Sequence, residues 1–105
     1  MMAFRRVVGL DELWSGDLVA TVVDGIRVVL VRIDDGVHAY LDRCAHLGAP
    51  LSDGRLTGRV LTCAVHRWQY DAGSGQGINP ASACLVRFAC KVEAGAVWVD
   101  VGVRP

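Results

Sequence analysis

Apolar residues in this chain fall in short β-branched runs broken by turn residues, a pattern that suits strands better than helices. Val19 to Val23 ends at Asp24-Gly25, a dipeptide that favours a tight hairpin. Ile26 to Ile33 follows, almost uninterrupted in Val and Leu, and Asp34-Asp35-Gly36 turns the chain into Val37 to Leu41. Arg59 to Thr62 and His66 to Asp71 form a second group of extended runs, and Ala72 to Gly77 reads as a loop. Val86 to Val92 and Ala96 to Val101 make a last hairpin around Glu93-Ala94-Gly95. Strands at this spacing predict an all-β fold, an antiparallel sandwich or barrel. One helical turn is expected near the start, with Asp11 capping Glu12-Leu13-Trp14-Ser15 and Gly16 ending it. The stretch from about 43 to 82 is richer in Gly, Pro and turn residues, and reads as an excursion from a β framework built by about 1–42 and 83–105.

A length of 105 residues allows one domain, and an apolar content of 52% is ample for its core and argues against disorder. Eleven basic and eleven acidic residues cancel, which gives no support for nucleic acid or an anionic membrane as partner. No stretch reaches the roughly 18 continuous apolar residues of a transmembrane helix. The opening MMAFRRVVGLDELWSGD has neither a long apolar run nor a small-residue cleavage site, so we expect a cytoplasmic chain without a signal peptide. Four cysteines in that compartment read as ligands or buried thiols rather than disulfides.

Cys44-Ala45-His46 is followed by sixteen residues and then by Cys63-Ala64-Val65-His66. Each half places one thiolate and one imidazole in a single tight loop, and two such loops can close around a small inorganic core. In a Rieske centre two Cys hold one iron and two His hold the other. Two ferric ions, two sulfides and two thiolates sum to zero, and electron uptake takes the site only to minus one. An all-Cys cluster would start at minus two, which is why the mixed ligand set raises the potential to roughly −150 to +300 mV. A Cys₂His₂ zinc site uses the same ligand types, but zinc fingers usually pair Cys with Cys and His with His, whereas each half here mixes them.

Cys44-Ala45-His46-Leu47-Gly48 with Cys63-Ala64-Val65-His66 resembles the Rieske motif, and the length and strand pattern resemble soluble Rieske ferredoxins over nearly the whole chain. Gly77-Ile78-Asn79-Pro80 and the following Cys84-Leu85 resemble in particular the ferredoxins of toluene-type di-iron monooxygenases. The resemblance implies an antiparallel β-sandwich base domain carrying a small cluster-binding subdomain. It implies one [2Fe–2S] cluster held by Cys44, His46, Cys63 and His66, with the two histidines at an exposed tip and Pro80 in a loop covering the cluster. It also implies a monomeric electron carrier, not an enzyme by itself. Such a carrier takes electrons singly from an NADH-dependent flavoprotein reductase and passes them to the oxygenase hydroxylase of a hydrocarbon monooxygenase. The ferredoxin of a Rieske ring-hydroxylating dioxygenase shares the chemistry. A nitrite reductase small subunit shares the fold but often lacks the ligands, all four of which are present here. Ring-hydroxylating large subunits add a catalytic domain, which we do not expect in a chain ending at Pro105.

The residues around the ligands separate the branches of the family. Respiratory Rieske proteins carry two further cysteines joined as a disulfide, where this chain has Ala49 and Val65, and a serine hydroxyl where it has Trp68. Tyr70 matches the family's tyrosine, which can donate to a cysteine sulfur. Trp68 reads as packing under the cluster loop or as a docking aromatic. Arg43 and Arg67 adjoin the ligands and are either docking charges for an acidic partner or ordinary solvated arginines. Cys84 and Cys90 read as buried thiols, His38 as an ordinary histidine, and the glycines at 73, 75 and 77 as turn formers. Fewer donors to sulfur stabilise the reduced state less, so we expect a midpoint potential below about 0 mV, at the low end of the Rieske range. Protein-film voltammetry checks this, and a midpoint above about +100 mV would contradict it.

Overall fold

The computed structural model describes residues 3–33, 36–45, 48–65 and 67–102. Ten strands follow in order: β1 (Arg5–Gly9), β2 (Leu18–Val23), β3 (Ile26–Ile33), β4 (Gly36–Leu41), β5 (Arg55–Thr57), β6 (Val60–Thr62), β7 (Gln69–Asp71), β8 (Gly77–Asn79), β9 (Arg87–Glu93) and β10 (Ala96–Asp100). They form two antiparallel sheets, one of six strands ordered β1-β10-β9-β4-β3-β2 and one of four ordered β5-β6-β7-β8. The fold is all-β, and no helix among the described residues is long and apolar enough to cross a membrane. β1 and β2, at opposite edges of the larger sheet, come back into contact, so that sheet curls toward a barrel.

The long apolar run of β3 explains how two cores are built. Successive side chains point to opposite faces of a strand. Val28 and Leu30 therefore enter one core with Ala39, Phe88, Val97 and Val99. Val29, Val31 and Ile33 enter a second core with Tyr40, Leu51, Leu61 and Tyr70, which lies between the two sheets. A strand covered on both faces has no polar alternation to show, hence its unbroken Val and Leu. Of the three hairpins of the larger sheet, the expected turn between β3 and β4 has Asp34 and Asp35 outside the described residues. The other two turn on two residues with positive φ, Asp24 (50°) with Gly25 (80°), and Ala94 (53°) with Gly95 (73°). That is the geometry whose twist matches the flanking strands.

Several expected boundaries move. β1, β5 and β8 were not foreseen, because β1 begins with two arginines and the others have three residues each. Of the run expected from His66 to Asp71, His66 lies outside the described residues and the strand covers Gln69–Asp71, and the run from Arg59 starts at Val60 after the turn at Gly58. Asp11 is not a cap: the 3₁₀ turn is Leu10–Glu12, preceded by Gly9 with no side-chain cap bond. The turn is held from outside, where Arg32 of β3 donates to the carbonyls of Leu10 and Leu13, and Asp17 accepts Trp14 N–H at 2.8 Å. Of the three loop glycines, only Gly75 has positive φ. Gly77 lies in β8, where a Cβ would fall 2.3 Å from Pro80 O and 2.5 Å from Ala83 O, so close backbone packing and not a turn requires it.

Tyr40 ties the two sheets together. It is fully buried on β4, and its hydroxyl donates to Ala72 O at 2.7 Å, just beyond β7. Tyr40→Phe removes the donor and strands a buried carbonyl, at a cost of about 1–3 kcal/mol. We expect a lower apparent melting temperature for the holoprotein; an unchanged one would show that the link carries no stability.

Candidate metal centre

Two six-residue loops carry the candidate ligands, and their backbones are closed in the same way. Cys44 N–H donates to Ala49 O at 2.7 Å, and Cys63 N–H donates to Trp68 O at 2.8 Å, each reaching five residues ahead. The fifth residue of each loop is left-handed: Gly48 at φ 73° and Arg67 at φ 56°. One is a glycine, which takes that conformation freely, and the other is an arginine held there at a cost of roughly 1–2 kcal/mol.

The loops start from fixed points. Cys44 follows β4, and the buried Asp42 just before it accepts both Ser52 N–H (2.8 Å) and Ser52 Oγ–H (2.7 Å). That carboxylate fastens the exit of β4 to the 3₁₀ turn Leu51–Asp53, which follows the first loop. Cys63 directly follows β6. The sequence reading missed Asp42 and Tyr40, because nothing local to either residue shows that its polar atom finds a partner 10 or 32 residues away.

Both thiols are buried in the core between the sheets, Cys44 at 2% exposure and Cys63 at 0%. Tyr70, fully buried on β7, places its hydroxyl 3.4 Å from Cys44 Sγ, and Ala45 N–H donates to that hydroxyl at 3.3 Å. Burial pushes the Cys63 thiol up, a hydrogen bond from the Val65 backbone offsets part of this, and the adjacent Cys44 thiol pushes it up further. The Tyr70 hydroxyl is also pushed well up, by burial and by Cys44, so it stays protonated at any physiological pH. Two thiolates side by side in an apolar layer would be heavily penalised unless a positive charge lay between them. An iron–sulfur core supplies that charge, so the donor set fits one.

The structure brings Cys44, Cys63, Tyr70 and Trp68 together, with Trp68 half-buried against the same core. His46 and His66, expected as ligands, lie outside the described residues. Pro80 is half-buried beyond β8 and its carbonyl accepts Ala83 N–H at 3.2 Å. Arg43 and Arg67 are exposed, and each lines a cleft beside one of the two cysteines. His38 sits on β4 opposite Val31. Cys84 is not a buried thiol. It is exposed, because the strand-like alternation from 83 to 85 sends Ala83 and Leu85 into the core and Cys84 outward. Cys90 is half-buried on β9, and burial pushes its thiol up to about 11, against a lowering by Arg87.

Residues 4–89 match the family model of the Rieske [2Fe-2S] domain. The ferredoxin component of the alkene monooxygenase system of Xanthobacter autotrophicus is 42% identical over 100 residues, covering 94% of this chain and 82% of that protein. The ferredoxin component of the naphthalene 1,2-dioxygenase system of Pseudomonas putida is 27% identical, covering 91% of this chain and 93% of that one. Among solved structures, a chain in the complex of reduced oxygenase and oxidised ferredoxin of carbazole 1,9a-dioxygenase superposes with a TM-score of 0.86 at 26% identity, over 97% of this chain and 95% of its own.

The matched loops give a paired prediction. Gly48→Ala forces a side chain into left-handed backbone, with its Cβ 2.9 Å from Arg43 Nε, and costs about 1–2 kcal/mol. Arg67→Gly relieves the equivalent strain and is neutral or stabilising by up to about 1 kcal/mol, the gain being offset by the freer unfolded chain. Thermal unfolding of the two holoproteins checks the order, and the reverse order would contradict it.

Proposed function

Because the chain belongs to the Rieske [2Fe-2S] domain family, carries one [2Fe–2S] cluster and is an electron-transfer ferredoxin of the kind that serves oxygenases, we propose the ligand set and redox partners that follow. Cys44 and Cys63 hold one iron and His46 and His66 the other, within a cluster-binding unit of about residues 43–82 set on a base of about 1–42 and 83–105. The observation that carries this reading is the pair of buried thiols at the mouths of two identically closed loops, each encoding one histidine.

When bound, the cluster takes up and gives up one electron at a time. The protein supplies the surroundings. The apolar layer around Cys44 and Cys63 excludes water from the sulfurs. Tyr70 stays protonated and offers its hydroxyl to Cys44 Sγ, a contact that favours the more negative, reduced state. Trp68 has no hydroxyl to offer, and its ring packs half-buried against the same layer.

An NADH-dependent flavoprotein reductase would supply the electrons, and the hydroxylase of a di-iron hydrocarbon monooxygenase would receive them in the cytoplasm from a monomeric carrier. The 42% identity to an alkene monooxygenase ferredoxin supports this acceptor. The 27% identity to a naphthalene dioxygenase ferredoxin supports a Rieske dioxygenase as the second reading. Reconstitution of turnover with each hydroxylase decides between them. Restored activity with the dioxygenase alone would overturn the first.

Tyr70→Phe tests the site itself. Loss of a hydrogen bond to sulfur is expected to lower the midpoint potential by about 20–60 mV while the visible spectrum of the cluster persists, since about 1.4 kcal/mol corresponds to 59 mV for one electron. Cys63→Ser is expected to lose the red-brown absorbance and the reduced-state EPR signal. A Cys63→Ser protein with an intact spectrum would sink the ligand assignment.

A further inference from the structure

Charge in this chain is divided unequally between its two units although it sums to zero. Residues 43–82 carry Arg43, Arg55, Arg59 and Arg67 against Asp53 and Asp71 only, so the remainder is acidic by the same excess. Arg59 is spent on Asp71, at 3.4 Å. The other three arginines are exposed and form no ion pair among the described residues.

Those three guanidinium groups flank the two cysteine loops. Arg55 and Arg67 line a cleft of about 490 Å³ with Thr57, Thr62 and Cys63, and Asp53 is the carboxylate among its described lining residues. Arg43 lines a second cleft, of about 460 Å³, with Cys44, Ala45 and Cys84. Exposed apolar side chains accompany them among the described residues: Ala45, Ala64 and Val65 on the loops, and Ile78, 48% exposed, on β8. An apolar centre with a charged edge is the composition of a protein–protein interface.

We propose that Arg43, Arg55 and Arg67 form a basic rim by which this ferredoxin docks an acidic protein surface on its redox partners, so that a chain with no net charge is steered cluster-first. The proposal rests on the electron-carrier reading above and adds the sign of the partner's surface. Long-range attraction of this kind acts on the encounter rate and fades as salt shortens its reach.

The test uses reduced holoprotein and two one-electron oxidants of opposite charge. The protein gives up one electron, and anionic hexacyanoferrate(III) becomes hexacyanoferrate(II), or cationic hexaammineruthenium(III) becomes the ruthenium(II) complex. With a basic rim, the anion reacts faster as salt is lowered and the cation slower, although the reduced holoprotein, a neutral chain with a cluster site at minus one, carries a net negative charge. Changing Arg43, Arg55 and Arg67 together to Gln should slow the anion at low salt by roughly tenfold and reverse the salt trend. A control triple, Arg5, Arg6 and Lys91 to Gln on β1 and β9, removes the same net charge from the other unit and should leave the trend in place. Equal effects from the two triples would mean that net charge alone governs, and the rim would be dismissed.

The visible spectrum of every variant reports cluster loading separately, so a colourless wild-type protein would count against the ligand assignment and not against the rim. With the hydroxylase that restores turnover in reconstitution, the rim variant should raise the ferredoxin concentration for half-maximal rate by roughly tenfold with kcat retained. An unchanged half-saturation would overturn the proposal for the partner.

Discussion

Two thiols buried side by side in an apolar layer are the condition that the rest of this structure serves. Cys44 and Cys63 belong to the core between the two sheets and are cut off from water. In such a place a pair of thiolates is tolerable only when a compact positive charge lies against both. The same burial that makes the bare site unfavourable therefore favours a bound positive charge, which an iron–sulfur core supplies. The layer exists because β3 and β4 each feed two cores at once, with alternate residues going to opposite faces.

Several long-range contacts hold the cysteine loops against that layer. Tyr40 leaves the larger sheet to bond Ala72 beyond β7, and Tyr70 leaves the smaller sheet to meet Cys44 beyond β4. The two tyrosines cross between the sheets in opposite directions, each satisfying its hydroxyl on the other side. Asp42 adds a carboxylate bond from the exit of β4 to Ser52. The loops are thus fixed at their roots, while Ala45, Ala64 and Val65 remain exposed. A carrier that must meet partners briefly needs this combination of a rigid site and an open surface of modest size.

Much of this was legible from the sequence, and for local reasons. The two Cys–His half-motifs announce their chemistry by residue type and spacing. Asp24-Gly25 is a dipeptide that takes the positive φ values its turn needs, and Gly95 does so at the other. The run of Val and Leu in β3 showed a strand, and the structure adds that Val28 to Val31 are covered on both faces. What escaped was weak or non-local. β5 and β8 have three residues each, too few for any periodicity to show, and exist because β6 and β7 offer them partners. Asp11 looked like a cap, but the carbonyls of its turn are satisfied by Arg32 from β3. Cys84 looked like a core thiol, because the side toward which a short extended stretch faces depends on what it packs against.

By itself, then, the sequence determined the class of fold, two hairpin turns and the two Cys–His half-motifs, all of which depend on residue identity within a few positions. Only the tertiary structure decided which core each alternating side chain enters, that Cys44 and Cys63 meet in the layer between the sheets, and that Tyr70, Tyr40 and Asp42 are the groups that hold them there. A buried polar atom must find a partner, but which partner is set by the packing of segments far apart in the chain.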